Sequence, residues 1–155
     1  MGVPTRTAEL FLFAVYVTFS VPIVYADITR FRVPDRLSLG GLACALLFRA
    51  VIIPASLSHA VVGTMLVPAV FALAATVTNG GLGFGDVKLA AFLAAALGPG
   101  RAATAVFAAS IVCVVFFVLD KCARRERASR FLPFAPFITL GAIGAYGAAC
   151  AGWIA

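Results

Sequence analysis

Charges, prolines and glycines divide this chain into six apolar blocks: about Leu10 to Ala26, Leu37 to Ile53, Ala60 to Val77, Val87 to Leu97, Ala102 to Leu119, and Phe134 to Ile154. A helix needs about 20 apolar residues to cross the hydrocarbon of a bilayer, and most of the blocks approach that length. The pattern predicts an all-α integral membrane protein, a bundle of about six transmembrane helices, with residues 1–155 forming a single domain. Pro22 and Pro68 lie inside the first and third blocks. Each lacks a backbone donor, so a kink or break is expected at both. The first block lacks a small-x-small cleavage site before "DITRFRVPDR" and is read as a mature helix, not a signal peptide.

Composition agrees with the block pattern. The 155 residues are 63% hydrophobic and 12% charged, with a mean hydropathy of +1.10, far outside the range of soluble domains. The charges that remain are unevenly distributed. Arg30, Arg32, Arg36, Lys88, Lys121, Arg124, Arg125, Arg127 and Arg130, nine of the twelve Lys and Arg residues, fall in the first, third and fifth connections. Only Arg6, Arg49 and Arg101 belong to the other side. The positive-inside rule then puts those three connections in the cytoplasm and both termini outside. The net charge of +6 is accordingly a topology signal, and no nucleic-acid partner is expected. The tract "DKCARRERASR" reads as an anchor on anionic lipid, and Arg49 as a side chain snorkelling to the outer interface.

Six acidic residues are few enough to weigh singly. Glu9, Asp35, Asp120 and Glu126 are expected to be solvated surface charges. Asp27 and Asp86 differ, because each adjoins an apolar block directly and both map to the same face. The fourth block has only about 12 residues between Asp86 and Gly98, roughly 18 Å of helix against about 30 Å of hydrocarbon. With its "GPGR" end at the far interface, Asp86 would sit about 10 Å below the surface in a pocket. An ionisable group at such a depth is a functional candidate by default.

Two carboxyls brought together can share one proton, because adjacent like charges cannot both ionise cheaply. The carboxylate then takes a proton from an attacking water while its partner protonates a peptide carbonyl, which is aspartic protease chemistry. Which aspartate holds the proton is open at this level. Gly83 and Gly85 are expected to adopt backbone angles closed to other residues and to let a substrate strand approach an active-site loop, with Phe84 packed in its wall.

Three separated pieces resemble the type IV prepilin leader peptidases and their archaeal preflagellin relatives, GxGD-type aspartic membrane proteases. In "DITRFRVPDRL", Asp27 is followed by Val33 and Pro34, like the family's Asp, five residues, Ile-Pro pattern, with Asp35 where Asn is frequent. "GLGFGDVKLAAFLAAALG" is similar to the sequence around the second catalytic aspartate. "LPFAPFITLGA" resembles the start of the family's last helix, with Ala135 at the usual Gly. The resemblance spans Asp27 to Gly141. It implies that Asp27 and Asp86 are catalytic and that the substrates are prepilin-like precursors. These would be cleaved between Gly and Phe or another apolar residue, at the cytoplasmic start of their hydrophobic helix. Pilus or secretion assembly proteins are further implied partners, besides the lipid bilayer, and no cofactor is implied.

Longer members carry paired CxxC zinc motifs and an N-methyltransferase activity. Here Cys44, Cys113, Cys122 and Cys150 are scattered, so no metal site is expected and the chain is similar to the short peptidases that cleave without methylating. Lys88 is expected to anchor at the interface, with tuning of the Asp86 carboxyl or substrate binding as the other reading, and Val33 and Pro34 are structural or substrate-binding candidates. Pro133, Phe134 and Pro136 most simply make a proline-compatible helix start with interfacial aromatics; a substrate-groove role is the other reading. His59 falls in an outer connection, away from both aspartates, and no HExxH or GxSxG pattern occurs. The alternative function is a proton- or cation-coupled transporter using the two aspartates.

Overall fold

The computed structural model describes residues 5–77, 83–124 and 133–152. Within them lie six α-helices: α1 (Thr5–Arg30), α2 (Asp35–Ile52), α3 (Leu57–Val77), α4 (Phe84–Leu97), α5 (Pro99–Arg124) and α6 (Ala135–Cys150), with a 3-10 turn at Pro54–Ser56 before α3. Gly80, Gly81 and Leu82 of the glycine stretch, Arg125 to Arg130 of the basic tract, Phe131 and the last residues of the sixth block lie outside the described residues. Arg6–Arg30, Pro54–Leu73 and Pro99–Phe116 are long and apolar enough to cross a membrane, and α6 is a shorter apolar helix. The chain is an all-α, multi-pass membrane protein.

The blocks map onto the helices with one systematic difference. α1 and α5 run to 26 residues each, about 39 Å, because polar residues flanking the apolar stretch continue the helical ladder beyond it. No break occurs at either internal proline, as α1 continues through Pro22 and α3 through Pro68. One missing donor leaves the rest of a long helix's bonds in place, and neighbouring helices hold the segment.

The short helix occupies the middle of the bundle. α4 has 14 residues, about 21 Å, and packs against all five other helices. Leu89, Ala90 and the run from Phe92 to Leu97 are buried, as expected for a helix apolar on all sides. Alanines bring the neighbouring backbones close, which is how helices associate where lipid removes the hydrophobic incentive. Phe92 fills the space over Gly41, where an added Cβ would lie 2.6 Å from the ring, and it also meets Tyr16 at 5.1 Å between ring centroids. Gly141 lies directly against the Ala105 carbonyl and lets α6 reach the α5 backbone.

The expectation for Arg49 is corrected. Its side chain is buried at 6% exposure, with Nε donating to the Ala95 carbonyl at 2.7 Å and Nη2 to the Ala96 carbonyl at 2.9 Å. Nη1 donates to Ser56 Oγ at 2.8 Å, and Ser56 donates onward to the Ile53 carbonyl. The physical reason is the length of α4. Its last carbonyls end inside the bundle without helical donors, and a guanidinium satisfies two of them while matching the negative end of the helix dipole. Gly98, with φ +85°, then turns the chain directly into α5, a conformation that disfavours residues with a Cβ.

Candidate active site

Asp27 lies on the last turn of α1, and Asp86 on the first turn of α4. Both line one cavity of about 450 Å³, together with Phe31, Arg32, Val33 and Asp35 on one side and Gly83, Phe84, Gly85 and Lys88 on the other. The carboxyls are close enough to act on each other electrostatically. Asp27 is buried, at 6% exposure, and Asp86 is half-buried. Both carboxyl groups therefore face one cavity while being largely withdrawn from solvent.

The local sequence explains how the two segments meet. α1 ends at Arg30, and Phe31 takes a left-handed conformation with φ +49°, unusual for a bulky residue. Its amide donates to the Asp27 carbonyl at 2.9 Å. Pro34 then caps the start of α2 at φ −68°, the angle that its ring fixes. Between them Val33 packs on Gly85: a Cβ at position 85 would lie 2.7 Å from Val33 Cβ and 2.9 Å from Val33 Cγ2. The Val33-Pro34 and Gly85-Asp86 pairs thus touch through their first members, so one contact joins the loop after Asp27 to the helix that carries Asp86.

This geometry revises the reading of the glycines. Gly83 sits at φ −73° and ψ 142°, ordinary extended backbone that needs no glycine, and it is the N-cap of α4. Phe84 and Gly85 belong to the first helical turn, not to a loop. Gly85 is required by the side chain of Val33, not by an unusual backbone angle. Phe84 is 75% exposed and stands at the cavity rim instead of packing in a wall, because the first turn of α4 aims it away from the core.

Lys88 also differs from an isolated anchor. Its Nζ lies 2.6 Å from Asp35 Oδ1, so the two form an ion pair between the starts of α4 and α2. Asp35 is correspondingly a paired group on the cavity wall. The Ala135 amide at the start of α6 donates to Asp27 Oδ2 at 3.0 Å. It brings a third chain segment to the site and fixes one carboxyl oxygen. Pro136 occupies the first turn of α6, where a missing N–H costs nothing, and Phe134 meets Phe71 with ring centroids 6.1 Å apart. Pro133, Phe134 and Pro136 are not among the cavity's lining residues; they shape the helix start that presents Ala135. Among the described residues no group of three or more His, Cys, Asp or Glu side chains is placed to hold a metal ion.

Sequence reasoning passed over the Ala135 amide, Phe31 and Arg32 as parts of the site. A backbone donor leaves no side-chain signature, since every residue but proline carries one. Phe31 and Arg32 lie between Asp27 and Pro34, but spacing alone gives no direction to their side chains.

The arrangement can do chemistry between two carboxyls that face one cavity, with a backbone donor holding one of them. No curated protein and no solved structure matches the chain. Residues 14–118 match the type IV leader peptidase family; they include both aspartates, the Val33-Pro34 pair and all of α4, and the chain belongs to that family.

Proposed function

We infer that the chain is an aspartic endopeptidase of the cytoplasmic membrane of a bacterium or archaeon, removing the leader from type IV prepilin-like precursors. Asp27 and Asp86 are its acid and base. The observation that carries this reading is the single cavity lined by both aspartates, which come from different helices far apart in sequence.

In the reaction the pair holds one proton between its two carboxyls. The ionised group removes a proton from water as the water oxygen bonds to the scissile carbonyl carbon, and the protonated group gives its proton to the carbonyl oxygen. Collapse of the tetrahedral adduct breaks the C–N bond. The amine leaves with a proton from the carboxyl that had accepted one, and a hydroxyl of the adduct returns its proton to the carboxyl that had given one, which restores the shared-proton pair. Ala135 N–H, bonded to Asp27 Oδ2, restricts rotation of that carboxyl and leaves its other oxygen for proton exchange.

A dyad just below the cytoplasmic surface suits a substrate whose polar leader stays in water while its apolar helix remains in lipid. The excess of Lys and Arg at the dyad end of the bundle supports that orientation, with both termini outside. The scattered cysteines support cleavage without N-methylation. Purified protein in proteoliposomes, given a prepilin-like peptide with a Gly-Phe junction, is expected to release the leader. Proton-driven solute uptake without peptide release would point instead to a transporter.

A further inference from the structure

Two of the three basic residues at the end of the bundle opposite the dyad line one cavity. Arg6 in the first turn of α1 and Arg101 in the first turn of α5 line a cavity of about 410 Å³, with Glu9, Leu10, Tyr146 and Ala149. Arg101 Nη1 is 3.0 Å from Glu9 Oε2. Arg49 is not among the lining residues but lies within electrostatic reach of both Glu9 and Arg101. Three guanidinium groups therefore face a single carboxylate. Arg49 is committed to the α4 carbonyls, and Arg101 is shared with Glu9. Among the described residues no acidic side chain forms an ion pair with Arg6, which is exposed.

This placement runs against the bias of the rest of the chain, which keeps nine of twelve Lys and Arg residues at the other end. Clustered positive charge on the disfavoured side calls for a negative ligand. The cavity lies where α1 and α5 begin and α6 ends. Its lining mixes the two guanidinium groups and Tyr146 with the apolar Leu10 and Ala149 and with Cys150, a combination that suits an amphiphile. Tyr146 is held in place by stacking on Phe13, with ring centroids 4.0 Å apart and planes within 5°.

We propose that this cavity binds the phosphate headgroup of an anionic phospholipid in the leaflet opposite the dyad, with Arg6 and Arg101 on the phosphate oxygens and the first acyl carbons along Leu10 and Ala149. Arginine suits this role because its planar fork bonds two phosphate oxygens at once. Glu9 competes with the phosphate for Arg101, so removing its charge strengthens binding. A purely structural ion pair would not behave in that way.

The test is native mass spectrometry of the full chain purified in detergent and supplied with phosphatidylglycerol, phosphatidylcholine or inorganic phosphate. Phosphatidylglycerol is expected to be retained about tenfold better than phosphatidylcholine, and Arg6→Gln with Arg101→Gln to erase that preference. Glu9→Gln should raise retention, while Arg36→Gln, at the other end, should leave it unchanged. Arg6→Gln alone, at an exposed position, should lower retention without unfolding the chain, which keeps the test decisive if the double variant does not fold. Equal retention of the two lipids, or full phosphatidylglycerol retention in Arg6→Gln together with no gain in Glu9→Gln, overturns the proposal. Displacement of the lipid by inorganic phosphate overturns its lipid source.

Discussion

At the scale of single residues, the site depends on the contact between Val33 and Gly85. Any side chain at 85 meets the Val33 Cβ at 2.7 Å, and something must shift. Gly85→Ala is therefore expected to push α4 away from the loop after α1 and to reduce cleavage about 100-fold, since a displacement of about 1 Å at reacting groups carries a penalty of that order. Removing the opposing side chain should restore part of the loss, so Val33→Gly combined with Gly85→Ala is expected to cleave faster than Gly85→Ala alone. Kinetics on the four members of that double-mutant cycle measure the coupling; additive losses would mean that the two residues act separately. The Lys88 to Asp35 pair is a contrasting case. Both side chains are partly solvated, at 37% and 61% exposure, and such pairs contribute less than about 1 kcal/mol. Lys88→Met should accordingly leave thermal unfolding in detergent nearly unchanged, and a large drop in melting temperature would assign the pair a greater structural role.

At the scale of elements, the short central helix organises the rest. Arg49 satisfies the carbonyls of Ala95 and Ala96 at the end of α4, about 14 Å of helix away from Asp86. Arg49→Met leaves both carbonyls without a donor inside the bundle, at a cost of about 1–3 kcal/mol each. A clear fall in melting temperature in detergent is expected, with Arg49→Lys intermediate because a single ammonium cannot reproduce the fork. Unchanged stability in Arg49→Met would show that water or lipid reaches those carbonyls. These elements also mark how far the sequence could be read. The blocks announced six helices because a membrane demands long uninterrupted apolar stretches, and the brevity of the fourth block was visible as a count of residues. The burial of Arg49 was not visible, since a lone arginine near a block end reads as interfacial until the end of α4 is known to stop beside it. Nor was the partner of Gly85, because a glycine signals absent bulk without saying which neighbour needs the space. The Ala135 amide was hidden because every residue but proline has such a donor.

At the scale of the whole molecule, the bundle separates two polar ends: Asp27, Asp86, Arg32, Asp35 and Lys88 at one, Arg6, Glu9 and Arg101 at the other. The reading of orientation makes the dyad end cytoplasmic. In a background with the four native cysteines replaced, Arg36→Cys should be shielded from a membrane-impermeant maleimide on intact cells, and Ala55→Cys, in the turn before α3, should react. The reverse pattern would turn the molecule over and remove the substrate geometry. The central claim is that two carboxyls from α1 and α4 perform one reaction. It is tested most directly by co-expressing a prepilin-like substrate with the wild type, Asp27→Asn or Asp86→Asn and reading the substrate's N-terminus by mass spectrometry. A new, unmethylated N-terminus at the Gly-Phe junction is predicted with the wild type, and a loss of at least about 100-fold with either isosteric variant; cleavage that persists near the wild-type level in one of them would contradict the two-aspartate account.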